Sequence, residues 1–135
     1  MTEAVSAGKR HPGDGAFLYS TMDHDMPERA RVEDFVTAVV SGDHVGAIRD
    51  FYHEHATMRE NLGEPRHGRD ALIAHEEAAL ARVHKMVTHP PKAVLVDGDD
   101  VTINWVFDIV GEDGSVRRLE ELSLQKWDGD RVSSE

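Results

Sequence analysis

Three glutamates lie where the sequence predicts apolar faces, and carboxyl groups so placed could transfer protons. Glu60 ends an alternating segment on the face that carries Met58. Glu76 falls on the apolar stripe of a predicted helix, and Glu120 falls beside Trp105 on a predicted sheet. A carboxyl group in an apolar cavity has a raised pKa and can act as a general acid or base near neutral pH. We therefore predict Glu120 and Glu60 as the catalytic residues, with Glu76 in contact with the ligand.

Each of these glutamates also has a purely structural interpretation. Glu120 could lie at a rim or pair with a nearby arginine, and Glu60 could cap the loop that follows its strand. Glu76 could be a helix-flank residue as solvated as its neighbour Glu77. Catalysis requires at least one cavity carboxylate without a neutralising Arg or Lys, whereas packing alone does not.

Aromatic side chains supply the second feature of a possible ligand site. Trp105 and Phe107 alternate on one long predicted strand, where they could form core or a flat wall for a ring system. Tyr52 could pack or donate a hydrogen bond to a developing oxyanion. The predicted ligand-binding residues are Tyr52, Met58, Glu76, Leu80, Ile103, Trp105, Phe107 and Leu122.

The sequence lacks the motifs that are typical of metal sites, of nucleophilic catalysis and of phosphate binding. The chain has nine His, of which His53 and His55 share a strand face, but no HExxH or 2-His-1-carboxylate spacing occurs. It has no Cys, no phosphate-binding Gly-rich loop and no Gly-x-Ser-x-Gly motif. We predict neither a metal nor a cofactor.

Composition restricts the possible partners and location. The chain has 135 residues, with 15 Lys plus Arg against 26 Asp plus Glu, and hence a formal charge of −11. Such a charge disfavours nucleic acids and anionic membrane surfaces. No apolar run approaches the ~20 residues that a spanning helix needs. With no signal peptide recognisable at the N-terminus, the expected location is the cytoplasm.

The order of the predicted elements indicates an α+β domain behind an N-terminal tail. Residues 1–25 have no helical or strand period and read as a mobile tail, or as an arm anchored by Phe17 and Tyr19. Residues 26–135 form the predicted domain. It begins with a helix capped by Asp25 and ended by Gly42, followed by a short helix capped by Asp43. A strand at 52–60 and a helix at 69–83 come next, and then strands at 92–96, 101–110, 116–127 and 131–134.

The register of the long hairpin decides which glutamate points inward. If residues 111–114 form a four-residue loop, Trp105 lies opposite Glu120. The inner face then carries Val101, Ile103, Trp105, Phe107, Leu122 and Leu124. A shift of one residue would exchange Glu120 for Glu121.

Three segments resemble the nuclear transport factor 2-like superfamily, and within it the SnoaL-like branch that includes polyketide cyclases. They are SGD at 41–43, RENLGEPRHGRD at 59–70 and QKWDGDRV at 125–132. The resemblance covers about residues 28–135. It implies a cone in which three helices pack on a strongly curved, mostly antiparallel sheet, with a deep pocket between the layers. It also implies a small apolar ligand and a homodimer formed through the outer sheet face.

The chain departs from the family pattern at its acidic positions. Trp105 and Phe107 align where an epoxide-hydrolase-like member has Arg and Asp, and Leu122 aligns with the inward Asp of cyclase-like members. The final strand is also shorter than in relatives. Two functions follow: a cofactor-independent enzyme that isomerises, cyclises or dehydrates an apolar cyclic substrate, or a non-catalytic ligand-binding or dimerisation module.

Overall fold

The computed structural model describes residues 26–135, so the predicted tail at 1–25 lies outside the described residues. Three helices come first, namely α1 (Arg29–Val40), α2 (His44–Phe51) and α3 (Arg69–Ala81). α1 buries Val32, Phe35 and Val39, which are spaced three and four residues apart as on one face of a helix. No helix in this part of the chain is long and apolar enough to cross a membrane.

Asp43 caps α2, as predicted, and so fixes the position of His44 at the first turn. Its Oδ1 accepts a hydrogen bond of 2.9 Å from the backbone N–H of Gly46. That bond satisfies one of the donors that a helix leaves free at its N-terminus.

Replacing Asp43 by Ala is expected to lower the free energy of unfolding by about 1 kcal/mol, because the cap is lost. Urea denaturation measures the change. Asp34→Ala is the control, since Asp34 is an exposed residue within α1. Equal losses in the two variants would contradict the capping role.

Seven strands form one curved, mixed sheet that does not close. They are β1 (Tyr52–Met58), β2 (Arg66–His67), β3 (Lys85–Thr88), β4 (Ala93–Asp97), β5 (Asp100–Val110), β6 (Val116–Asp128) and β7 (Arg131–Ser134). The strand order is β2-β1-β7-β6-β5-β3, and β4 also pairs with β5. Only β1 and β7 pair in parallel. The predicted α+β architecture, with three helices on a curved and mostly antiparallel sheet, is confirmed.

The predicted register of the β5–β6 hairpin is wrong by one residue. Trp105 lies opposite Glu121 and Asn104 lies opposite Leu122. On β5 the predicted inner residues are buried, with Val101 and Ile103 fully so. On β6 the inner residues are instead Ser123, Gln125 and Trp127, and these alternate with exposed neighbours.

The cause of the shift is a loop that is one residue longer than predicted. The strands pair up to Val110 and Val116, so the loop contains residues 111–115. The N–H of Gly111 donates to the carbonyl oxygen of Ser115 at 2.8 Å. Asp113 Oδ1 accepts from the Ser115 N–H and hydroxyl at 3.0 and 2.7 Å, and these bonds lower the pKa of Asp113. Side-chain hydrogen bonding thus holds Ser115 in the turn.

The core lies between α1, α2 and the concave face of the sheet. Phe35 is at its centre, with its ring centroid 5.5–6.2 Å from those of Phe51, Tyr52, Trp105 and Trp127. The predicted third helix ends at Ala81 instead of 83, and residues 85–88 form β3, which the sequence analysis missed. β3 pairs with the C-terminal half of β5 and thereby places Thr88 beside Phe107.

Candidate functional site

A cavity of about 870 Å³ lies between the helices and the concave face of the sheet. Apolar side chains of α1, α2, β1 and β5 form its inner wall, and exposed residues at 59–61 and along β6 form its mouth. The lining includes Phe35, His44, Tyr52, Met58, Glu76, Trp105, Phe107, Glu121, Ser123 and Glu135.

Glu121 is the carboxyl group that faces the aromatic wall. It lies opposite Trp105 on the neighbouring strand, and it reaches solvent through the cavity mouth. Desolvation by the cavity walls raises its pKa, and the negative charges of Glu135, Glu60 and Glu76 raise it further. None of the ion pairs in the described part of the chain includes Glu121. It therefore meets the requirement for a cavity carboxylate without a cationic partner.

Glu135 is the second carboxylate of the cavity, and three donors hold it. The Tyr52 hydroxyl, the Ser123 hydroxyl and the Gln125 amide all donate to its carboxylate. Burial, followed by the charge of Glu135, raises the pKa of Tyr52 well above its usual value near 10.0, so the phenol stays protonated as the donor. Trp127 Nε1 donates to Gln125 Oε1 at 2.9 Å and fixes the orientation of that amide.

His44 links Glu76 to β3. Its Nδ1 lies 3.2 Å from Glu76 Oε2, and its Nε2 lies 2.8 Å from Thr88 Oγ1. Because a carboxylate only accepts hydrogen bonds, neutral His44 carries its proton on Nδ1 and accepts from the Thr88 hydroxyl. The pair orients Glu76, which is about one-quarter exposed on the cavity wall.

The structure contradicts the predicted placement of Glu120 and Glu60 as inward, unpaired carboxylates. Glu120 lies on the outer face at the mouth of the cavity, 3.0 Å from Lys92 Nζ, and this hydrogen bond is the main reason why its pKa is lowered. Glu60 is exposed at the mouth, 3.3 Å from an Arg66 guanidinium nitrogen. The loop of residues 111–115 gives the physical reason for the first error, because it turns Glu121 inward in place of Glu120.

The cavity brings together six of the eight predicted ligand-binding residues, and these are Tyr52, Met58, Glu76, Trp105, Phe107 and Leu122. Ile103 is fully buried in the core and does not line the cavity, and neither does Leu80 of α3. Leu122 lines only the mouth, where it is 63% exposed, because the register shift places it on the outer face. Whether the six bind a ligand stays a prediction.

Sequence reasoning missed His44, Thr88, Glu121 and Glu135. Glu121 was open as the alternative register, but both faces of β6 carry leucines and glutamates, so alternation did not favour it over Glu120. His44 follows the Asp43 cap directly, but nothing local indicates that its partners are 32 and 44 residues away.

The raised pKa of Glu121 predicts a pH-dependent effect on stability. A carboxyl group whose pKa is higher in the folded protein opposes folding increasingly as pH rises from its unfolded pKa through its folded pKa. Glu121→Gln should therefore raise the melting temperature relative to wild type at pH 7.5 and leave it unchanged at pH 3.5. A thermal-unfolding series over this range tests the sign, and a stability gain confined to low pH would contradict it.

The described residues contain no group of three or more His, Asp or Glu side chains arranged to hold a metal ion. The nearest arrangement in the cavity is the pair formed by His44 and Glu76, which is held by a hydrogen bond. The site is therefore best described by its carboxyl groups and aromatic rings.

Three helices packed on a curved, mixed sheet of seven strands place the chain in the nuclear transport factor 2-like class of folds. A family model, the SnoaL-like domain, matches residues 32–134. The chain belongs to the SnoaL-like family. No curated protein matches the chain significantly.

Solved structures of the same fold are similar over 78% of this chain. A protein from Mesorhizobium loti assigned to the SnoaL-like polyketide cyclases has 20% identity over 92% of its own chain, with a TM-score of 0.64. TerC, co-crystallised with polyporic acid, has 11% identity over 85% of its chain and a TM-score of 0.65. A protein with a ketosteroid isomerase-like fold from Catenulispora acidiphila, in complex with trimethylamine, has 17% identity over 82% of its chain and a TM-score of 0.65. At these identities the likeness shows the fold.

Proposed function

We propose that the cavity binds a small, mainly apolar cyclic molecule and that Glu121 exchanges a proton with it. The reaction class is isomerisation, cyclisation or dehydration without a cofactor. The observation that carries this proposal is the position of Glu121, an unpaired carboxyl group with a raised pKa opposite Trp105. A carboxyl group whose pKa lies closer to neutrality both takes up and returns protons effectively.

The other cavity residues have supporting roles in this proposal. The rings of Trp105 and Phe107 form the wall against which a planar substrate stacks. Glu76, oriented by His44, is the second carboxylate that can accept or return a proton. The Tyr52 hydroxyl already donates a hydrogen bond to Glu135. We therefore propose that Tyr52 holds the carboxylate of Glu135 and does not stabilise a developing oxyanion.

Three relatives support this proposal. The Mesorhizobium loti protein is assigned to the polyketide cyclases, and cyclisation is one of the proposed reaction classes. TerC was crystallised with polyporic acid, and trimethylamine was found with the Catenulispora acidiphila protein. Members of the fold that share little sequence with this chain thus take small molecules.

The experiment is a thermal-shift screen of apolar cyclic ketones and phenols against wild type and Glu121→Gln, followed by mass spectrometry of each hit. We expect hits that stabilise both proteins and are converted only by wild type. Hits that bind both proteins but are converted by neither would support the non-catalytic binding module. The absence of any hit would contradict a ligand cavity.

We also propose that the chain forms a homodimer through the outer sheet face. Leu95, Leu122 and Leu124 lie on adjacent strands of this face and are 62–63% exposed. Lys92 with Glu120 flanks the patch at one end, and Lys126 with Asp100 flanks it at the other. A twofold axis through the patch would bring each lysine near the partner's opposite charge.

Leu124→Asp is expected to convert the dimer to monomer, because it places a charge within the apolar patch. Light scattering coupled to gel filtration gives the mass directly. Leu62→Asp is the control, since Leu62 is 92% exposed in a loop outside the sheet. A wild-type monomer, or a dimer that survives Leu124→Asp, would contradict this interface.

A further inference from the structure

The hydrogen-bonding groups of the inner wall are unequally available to a ligand. The donors Tyr52, Ser123 and Gln125 are all directed at Glu135. Both ring nitrogens of His44 are also engaged, one by Glu76 and one by Thr88. What remains free is acceptor capacity, above all on the carboxylate oxygens of Glu121. A ligand that donates hydrogen bonds therefore satisfies this wall better than one that only accepts them.

The side chains that line the cavity also carry more negative than positive charge. In the described part of the chain, neither Glu121 nor Glu135 has an ion-pair partner, and Glu76 has only His44. The basic residues of the lining besides His44 are Arg59, which is exposed at the mouth, and the partly buried His75. An incoming positive charge would relieve the mutual repulsion of the carboxylates. The chain's formal charge of −11 also attracts cations toward the opening.

The aromatic wall favours a cation independently of the carboxylates. The rings of Trp105 and Phe107 are stacked with centroids 6.0 Å apart and an angle of 25° between their planes. They thus form a continuous surface beside Glu121. Aromatic faces carry partial negative charge and attract ammonium groups, most strongly where water is excluded. The aromatic rings therefore complement an apolar ring system, and the carboxyl group complements an amine carried by that ring system.

We propose that the cavity selects ligands in which an apolar ring system carries a protonated amine, with the ammonium group at Glu121 and the rings on the Trp105–Phe107 wall. The inference rests on the proposed function in one respect, namely that the ligand occupies this cavity. It goes further by assigning the charge of the ligand. A neutral ligand would leave the carboxylate of Glu121 without a counter-charge, and an anionic ligand would be repelled.

The test compares three probes that share one ring system, 1-naphthylmethylamine, 1-naphthalenemethanol and 1-naphthoate. Affinities are measured by calorimetry at pH 7.5 with wild type, Glu121→Gln and Glu77→Gln. The alcohol also donates a hydrogen bond, so its comparison with the amine isolates the charge. Glu77→Gln is the matched control, because Glu77 is an exposed residue of α3 outside the cavity lining.

We expect the amine to bind wild type at least about tenfold more tightly than the alcohol, as a partly desolvated ion pair would. Glu121→Gln should remove most of that preference, whereas Glu77→Gln should leave it unchanged. Equal binding of amine and alcohol, or a preference that survives Glu121→Gln, would overturn the assigned charge and leave the apolar cavity standing. Failure of all three probes to bind wild type would overturn both the cavity proposal and this inference.

Discussion

Glu121→Gln is expected to slow proton exchange on a bound cyclic ketone by about 10²- to 10⁴-fold, the usual contribution of a positioned acid or base. The amide keeps the shape of the side chain but cannot take up the proton. The measurement follows the α-protons of 2-tetralone in D₂O by NMR, with and without stoichiometric protein. This probe reports proton abstraction and does not require the natural substrate.

Glu120→Gln is the matched control for this measurement, because the two residues are adjacent and lie on opposite faces of β6. Glu120 is ion-paired with Lys92, so its loss should change the exchange rate by less than about twofold, as for a surface position. A larger effect of Glu120→Gln than of Glu121→Gln would contradict the site described above.

Trp105→Ala is expected to lower the free energy of unfolding by about 3–5 kcal/mol and to abolish ligand binding, because one side chain serves both core and cavity wall. Trp105 is 4% exposed, and its ring contacts those of Phe35 and Phe107. Urea denaturation gives the stability change. Since this variant risks unfolding, the effect on binding is read from Trp105→Phe.

Trp127→Phe is the control for Trp105→Phe, since it makes the same substitution at a tryptophan that is buried outside the cavity lining. Both variants should lose stability, but only Trp105→Phe should weaken the binding of naphthyl ligands. Equal weakening of binding in both variants would mean that binding follows overall stability. It would contradict a direct contact between Trp105 and the ligand.

The helices and most strands were predictable because their signals are local. The spacing of Val32, Phe35 and Val39 marks one helix face, and Asp43 is an N-cap in sequence and in structure. Tyr52–Met58 alternates well enough to identify β1, and Ala56 is fully buried as its face requires. The segments that resemble the SnoaL-like branch lie where this fold has turns.

The hairpin register was not predictable from alternation, because both faces of β6 carry leucines and glutamates. The length of the hairpin loop, four residues or five, determines which residues of β6 point inward. The hydrogen bonds of Ser115 to Asp113 make it a loop of five. One residue in a turn therefore exchanged Glu120 for Glu121 as the inward carboxyl group and moved Leu122 to the outer face. The same shift placed Leu122 and Leu124 on the outer face, beside Leu95 of β4.

The remaining site residues could not be predicted from the sequence because their hydrogen-bond partners are distant along the chain. His44 meets Glu76 and Thr88 only after α3 and β3 have packed, and β3 is too short and mixed to show a strand period. Glu135 reaches Tyr52 through the parallel pairing of β7 with β1. Contacts of this kind depend on topology, which local patterns do not encode.

Glu121 is a cavity carboxyl group whose pKa is raised. The most direct test is a ¹³C NMR titration of the glutamate side-chain carboxyls in wild type, Glu121→Gln and Glu120→Gln. We predict one resonance that titrates above the others, absent from Glu121→Gln and retained in Glu120→Gln. A Glu121 resonance that titrates near 4.5, the ordinary value for glutamate, would contradict the account.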